Sequence, residues 1–310
     1  MKKLRFLVSL CTDDNDYQRE QASAAQEIAH RAGVDIDILY ADNDAITQSQ
    51  QLLNVIQGAA ESRPDGIVLE PVGGTCLPHV ARSAVSAGIA WVVLNREASY
   101  MQELRPRAVA PLFAVSSDHL EVGRIQAQQV AALVRRGGHV LYIEGPSDNS
   151  ATKQRSLGMQ QRKPANIELI QLKGKWTEDS GYKAVSSWAR LSTSQKLSID
   201  MVCAQNDAMA MGARKAIQEL PDPVLREKWL ALPFTGVDGL PKTGQAFVRS
   251  GLLAATVIVP PNTQLAVEML VEALRKKSMP AALSLTVPYS YPKVEEISLP
   301  KHAKERVLTP

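Results

Sequence analysis

Polar and aromatic residues recur at one kind of place in this chain of 310 residues: just after a short apolar run and just before a stretch of helical period. The fullest example is Ala204-Gln205-Asn206-Asp207-Ala208-Met209, which follows the apolar run from Ile199 to Cys203. Asn206 both donates and accepts hydrogen bonds, and Asp207 is suited to cap a helix. Thr12-Asp13-Asp14-Asn15-Asp16-Tyr17 sets acceptors beside an aromatic ring, and Leu94-Asn95-Arg96-Glu97 offers a guanidinium fork. Further on, Gly145-Pro146-Ser147-Asp148-Asn149-Ser150 leads into Lys153 and Arg155. Trp176 stands in the polar segment Gly174–Glu178, and Asp238 stands in the turn pair Asp238-Gly239. Each has a plain alternative: caps at Asn15, Asn149 and Asp207, a surface ion pair between Arg96 and Glu97, a core indole at Trp176, a simple turn at Asp238. Together the groups suit a sugar. Ring C–H faces stack on Tyr17 and Trp176, and hydroxyls find Asn15, Asn95, Arg96, Lys153, Asn206 and Asp238.

Catalytic chemistry lacks its usual equipment. The chain has no Gly-x-Ser-x-Gly, no Walker loop and no Gly-x-Gly-x-x-Gly; Gly73-Gly74 follows an apolar run but lacks a third glycine. The five histidines (His30, His79, His119, His139, His302) show no metal spacing and no evident nucleophile partner. No enzyme, no metal and no cofactor are expected. With 35 Lys and Arg against 32 Asp and Glu, the net charge of +3 is too mild and too scattered to point to nucleic acid.

The elements that must position these groups alternate along the chain. Strand-like runs are Leu4–Leu10, Asp35–Tyr40, Gly66–Glu70, Trp91–Asn95 and Phe113–Ser116, then His139–Glu144, Ile167–Leu172, Ile199–Ala204, Leu232–Val237 and Leu253–Val259. Most are continuous Val/Ile/Leu runs, which suits parallel strands covered on both faces. Helical period fills Tyr17–Ala32, Asp44–Gly58, His79–Ala87, His119–Arg135, Asp179–Leu191, Met209–Leu220, Lys242–Ser250 and Asn262–Lys276. Repeated βα units predict doubly wound α/β sheets, and a length of 310 predicts two domains. The halves resemble each other: Pro64-Asp65-Gly66-Ile67-Val68-Leu69 in one matches Ile199-Asp200-Met201-Val202-Cys203 in the other. The segment from Val287 to Pro310 reads as a crossing strand followed by a surface tail. Cys11, Cys76 and Cys203, set in apolar runs, read as buried free thiols. Met1-Lys2-Lys3 imitates a secretion signal, but the run Phe6–Cys11 is short for one and reads as the first strand.

Val92-Val93-Leu94-Asn95-Arg96, Ala204-Gln205-Asn206-Asp207-Ala208-Met209-Ala210, Thr235-Gly236-Val237-Asp238-Gly239 and Leu253-Ala254-Ala255-Thr256-Val257 resemble the ribose-binding group of periplasmic sugar-binding proteins. That group shares its type I fold with the effector domain of lactose-repressor-type regulators. The resemblance implies two similar Rossmann-like lobes joined by a three-segment hinge. One lobe would comprise 1–115 and 260–287, the other 116–259 and 288–310, with crossings near Ala114–Ser117, Val259–Pro261 and Val287–Tyr289. It further implies that Arg96, Trp176, Asn206 and Asp238 touch the ligand, with Asn15 and Tyr17 in a first-loop site. The ligand would lie in the interlobe cleft and favour closure. A monomeric receptor serving an ABC-transporter permease is the expectation. The periplasm is implied if a signal peptide has been trimmed, whereas the chain as written carries none and would be cytoplasmic. A sugar- or autoinducer-sensing module signalling to a regulator or sensor kinase is the alternative. Asn95 stands where the ribose binders carry Asp, Lys153 where they carry Arg, Gln18 in place of a second aromatic, and Val259 in place of a hinge Gln. Another sugar or a polyol therefore suits these residues as well as ribose.

Overall fold

The computed structural model describes residues 3–74, 76–191 and 197–297. The chain divides into two compact units, Met1–Ser117 with Pro260–Thr286, and Asp118–Val259 with Val287–Pro310. The expected surface tail beyond residue 297 lies outside the described residues, as do Met1 and Lys2.

Unit 1 is built on β1 (Arg5–Leu10), β2 (Asp35–Tyr40), β3 (Gly66–Leu69), β4 (Ala90–Leu94), β5 (Leu112–Ser117) and β11 (Leu283–Thr286), in the order β11-β5-β4-β3-β1-β2. Every pairing in it is parallel. Its helices include α1 (Asp16–Ala32), α2 (Ala45–Gln57), α3 (Pro78–Ser86), α4 (Tyr100–Leu104) and α11 (Asn262–Lys276). Phe6, Val8, Val68, Val92 and Phe113 pack against apolar residues of α1 and α11 on one face. Leu7, Ile67, Leu69, Trp91 and Leu112 pack against α2, α3 and α4 on the other. Covering both faces explains why the strands read as unbroken apolar runs. Gly33 closes α1 in the left-handed region at φ 66° and takes up two of its last carbonyls.

Unit 2 repeats the plan with β6 (Gly138–Glu144), β7 (Ile167–Lys173), β8 (Met201–Ala204), β9 (Phe234–Asp238), β10 (Ala255–Ile258) and β12 (Tyr289–Tyr291), in the order β12-β10-β9-β8-β6-β7. The strand β12 runs antiparallel to β10, so this sheet is not wholly parallel as expected. An antiparallel edge strand on a parallel sheet is common because the edge needs no crossover helix. The helices are α5 (His119–Leu133), α6 (Ser150–Arg162), α7 (Glu178–Ala189), α8 (Asp207–Gln218), α9 (Pro223–Leu230) and α10 (Gly244–Arg249). Two helix pairs touch through glycine. A Cβ at Gly123 of α5 would lie 2.0 Å from the Arg155 carbonyl oxygen, and one at Gly212 of α8 would lie 1.9 Å from that of Glu178. No larger residue fits at these approaches without parting the helices.

In both units the first two strands in sequence stand beside the third in the order 2-1-3. The strand order therefore reverses between β1 and β3, and between β6 and β8. At such switch points the carboxyl ends of the strands leave a crevice for ligand.

Candidate functional site: two polar half-sites at strand tips

The half-site of unit 1 forms where β1, β3 and β4 end. Glu70, directly after β3, is buried and pairs with Arg96, whose Nη2 lies 3.2 Å from Glu70 Oε1. Gln18 Nε2 donates to Glu70 Oε2 at 3.0 Å, and Asn95 Nδ2 donates to the same oxygen at 3.2 Å. Gln48 fixes the Glu70 backbone, donating to its carbonyl oxygen at 2.9 Å. Arg96 Nη1 donates to the Asn95 carbonyl at 2.8 Å. The arginine side chain is 10% exposed, and among the described residues its buried Nε has no partner. A buried donor of this kind costs free energy until something accepts from it. The Arg96 guanidinium thus pairs with Glu70, across the sheet.

Asn95 sits in the left-handed region at φ 55°. Its Oδ1 accepts from Asn262 Nδ2 and from the Ser117 amide at 3.4 Å. Asn262 Nδ2 also reaches Ser117 Oγ at 3.2 Å, and Thr286 Oγ1 donates to Asn262 Oδ1 at 2.8 Å. Ser117, Asn262 and Thr286 stand at or beside the three boundaries of the unit, so one polar knot ties those ends to the arginine site. Asn15 caps α1, accepting from the amides of Tyr17 at 2.9 Å and Gln18 at 3.2 Å. Tyr17 is buried, with its hydroxyl donating to the Pro260 carbonyl at 3.4 Å. Cys11 is inert as a nucleophile: burial first, then the Glu70 charge, push its thiol up to about 12.

The half-site of unit 2 forms where β6 and β8 end. The Trp176 ring lies against Gly145, where a Cβ would meet ring carbons Cζ2 at 2.2 Å and Cη2 at 2.4 Å. The Arg155 guanidinium stands 5.3 Å from the indole centroid. Arg155 also donates from Nη1 to the Gln205 carbonyl and from Nε to His119 Nδ1 at 3.4 Å. Trp176 itself is left-handed at φ 67°, held there by Asn206 Nδ2, which donates to its carbonyl at 2.9 Å. The other end of the Asn206 amide caps α8, accepting from the Met209 amide at 2.9 Å. Asn206 is therefore the N-cap, and Asp207, the expected cap, is the first helical residue. The Asp207 carboxyl turns inward, accepting from the Gly239 amide at 2.8 Å and from Thr256 Oγ1 at 2.7 Å. Burial pushes its pKa up to about 7, while those two hydrogen bonds and the Arg155 charge pull the other way. Asp238 ends β9 half-buried, at φ 105°.

Of the eight expected site residues, Asn15, Tyr17, Asn95 and Arg96 gather at the strand tips of unit 1. Trp176, Asn206 and Asp238 gather at those of unit 2. Lys153 is exposed on α6, and Arg155 is the buried cation of that helix. Two residues along a helix is a turn of about 200°, which separates their faces. Glu70 and Arg155 are the groups that sequence reasoning underrated. Glu70 follows an apolar run as directly as Asn95 does, so the same pattern points to it.

Among the described residues no helix is long and apolar enough to cross a membrane, and no cluster of three His, Cys, Asp or Glu is placed to hold a metal. A family model described as a periplasmic binding protein domain matches residues 6–278. A putative rhizopine-binding protein of Rhizobium meliloti is 28% identical over 193 residues, 60% of this chain and 58% of its own length. A ribose import binding protein of Bacillus subtilis (strain 168) is 24% identical over 285 residues, 91% of this chain and 86% of its own. A periplasmic solute binding protein of an ABC transporter from Actinobacillus succinogenes, solved with bound D-allose, superposes with a TM-score of 0.79 at 20% identity, covering 95% of this chain and 99% of that one. The repeated 2-1-3 sheets and the match over residues 6–278 agree: the chain belongs to the periplasmic binding protein family and has its type I fold.

Proposed function

We propose that this protein is a receptor for a monosaccharide or similar small polyol, which it presents to the permease of an ABC importer from the periplasm, acting as a monomer. Arg96 with its open Nε, Asn95, Asn15 and Tyr17 of unit 1, and Trp176, Arg155, Asn206 and Asp238 of unit 2, are the residues that would serve the ligand. The observation that carries this reading is backbone strain where hydroxyl- and ring-binding groups sit. Eight described non-glycine residues have positive φ, and three of them are Asn95, Trp176 and Asp238. Such conformations persist where the surroundings impose them, and they concentrate at binding sites. The relatives named for ribose import and solved with D-allose support the ligand class.

A thermal-shift panel of pentoses, hexoses and polyols tests it, because a ligand selective for the folded state raises the melting point with concentration. At least one neutral member shifts the wild type. Arg96→Ala and Asp238→Ala melt cooperatively but lose most of that shift. A panel in which no member shifts the wild type contradicts the reading.

A further inference from the structure

We propose that Glu70 is the residue that sets charge selectivity, making the Arg96 half-site reject anionic ligands and accept neutral polyols. The inference rests on the receptor reading and adds to it a ligand class.

A lone buried guanidinium would favour a carboxylate or phosphate, whose bidentate geometry it matches. Arg96 is not alone. Its Nη2 faces Glu70 Oε1 at 3.2 Å, with the two side chains 10% and 5% exposed. Glu70 receives two further donors on Oε2, from Gln18 at 3.0 Å and Asn95 at 3.2 Å, so it is held in place before any ligand arrives. The half-site therefore presents a neutral pair. The open donor on Arg96, the buried Nε, asks for one uncharged acceptor such as a hydroxyl oxygen. A ligand carboxylate brought to it would meet the Glu70 charge across the shared guanidinium, and like charges in a desolvated site are strongly disfavoured.

Unit 2 also sets carboxyl groups near its buried arginine. The Arg155 charge acts on the buried Asp207 carboxyl, and Asp238 stands in the same half-site. Glu70 contacts Arg96 rather than the ligand, so its role is positioning and charge compensation.

The probes are neutral sugars beside their own acids: D-glucose with D-glucuronate, D-galactose with D-galacturonate, and D-ribose with D-ribonate, alongside the neutral polyol panel. Affinities are read by calorimetry, with circular dichroism melts as the folding control. In the wild type, a neutral sugar that binds should exceed its acid by at least about tenfold, given the cost of placing like charges together. Glu70→Gln keeps the shape and removes the charge, and should narrow the neutral-over-acid ratio by about tenfold, largely by gaining affinity for the acid. The double variant Glu70→Gln/Asn95→Asp returns a carboxylate beside Arg96 and should restore the preference for the neutral sugar. It also keeps the test alive if the single variant folds poorly. A purely structural role for Glu70 would weaken both ligands alike and leave the ratio unmoved.

A wild type that binds the acid as tightly as its neutral parent overturns the inference. So does a folded Glu70→Gln protein with an unchanged ratio. In both cases neutral binding survives, so the receptor reading stands. If nothing in the panel binds, neutral or acidic, the receptor reading falls and takes this inference with it.

Discussion

Gly145→Ala displaces the Trp176 ring without replacing any polar side chain of the half-site. The new methyl would stand 2.2 Å and 2.4 Å from two ring carbons and 2.6 Å from Thr152 Oγ1. Carbon atoms rest at about 3.5–4.0 Å, so the ring must retreat by roughly 1.3 Å or more. Trp176 is half-buried while Gly145 is buried directly after the central strand β6, so the ring yields rather than the backbone. The stability cost is then small, about 1 kcal/mol, at the low end for overpacking. Ligand affinity falls further. Aromatic stacking contributes about 0.5–1.5 kcal/mol, which at 1.4 kcal/mol per decade is about a two- to twelvefold weaker complex. Calorimetry with a sugar that binds the wild type gives the affinity, and tryptophan emission reports whether the ring has moved. A displaced ring with affinity within about twofold of the wild type would refute the stacking role assigned to Trp176.

Two further outcomes follow from packing and titration. Asp207→Asn tests the buried carboxyl: burial pushes its pKa from the ordinary 3.8 up to about 7, so the fold favours the protonated form. The stability this group contributes is complete below the unfolded pKa and is lost as pH rises through the folded one. Urea unfolding should therefore show the wild type losing ground to Asp207→Asn between pH 4 and 7, with a constant gap above that range; a gap that does not vary with pH contradicts the assignment. Gly212→Ala forces a methyl to within 1.9 Å of the Glu178 carbonyl oxygen and 2.7 Å of the Tyr182 amide, both backbone atoms. It should destabilise by about 3 kcal/mol or more, read as a lower urea midpoint, and a midpoint unchanged from the wild type would show that α7 and α8 part freely.

Much of the fold was legible because burial on both faces writes parallel strands as apolar runs. β1 to β10 fall on the expected segments, and the three buried thiols are free as expected. α6 left little trace. Its sequence SATKQRSLGMQQR is largely polar, and it packs through Gly158, where a Cβ would lie 2.0 Å from the Leu120 carbonyl oxygen. Contact made by absence of a side chain carries no hydrophobic period. α9 buries only Trp229, for the same weak signal. At the site, residues set by position along the chain were readable, and partners set by the sheet were not. Glu70 lies 26 residues before Arg96, and they meet because β3 pairs with β4. Asn206 rather than Asp207 caps α8, because both residue types can cap and the Asp207 carboxyl is taken by Gly239 and Thr256.

In the proposed receptor, one polyhydroxylated molecule depends on both Arg96 and Trp176. Titration calorimetry of a sugar found by thermal shift, run on the wild type, Arg96→Ala and Trp176→Ala, tests this most directly. One molecule should bind per chain, with a large loss of affinity from either substitution, at least about tenfold for the arginine whose charged hydrogen bonds are removed. Two molecules per chain, or an affinity indifferent to the substitution in one unit, would contradict it.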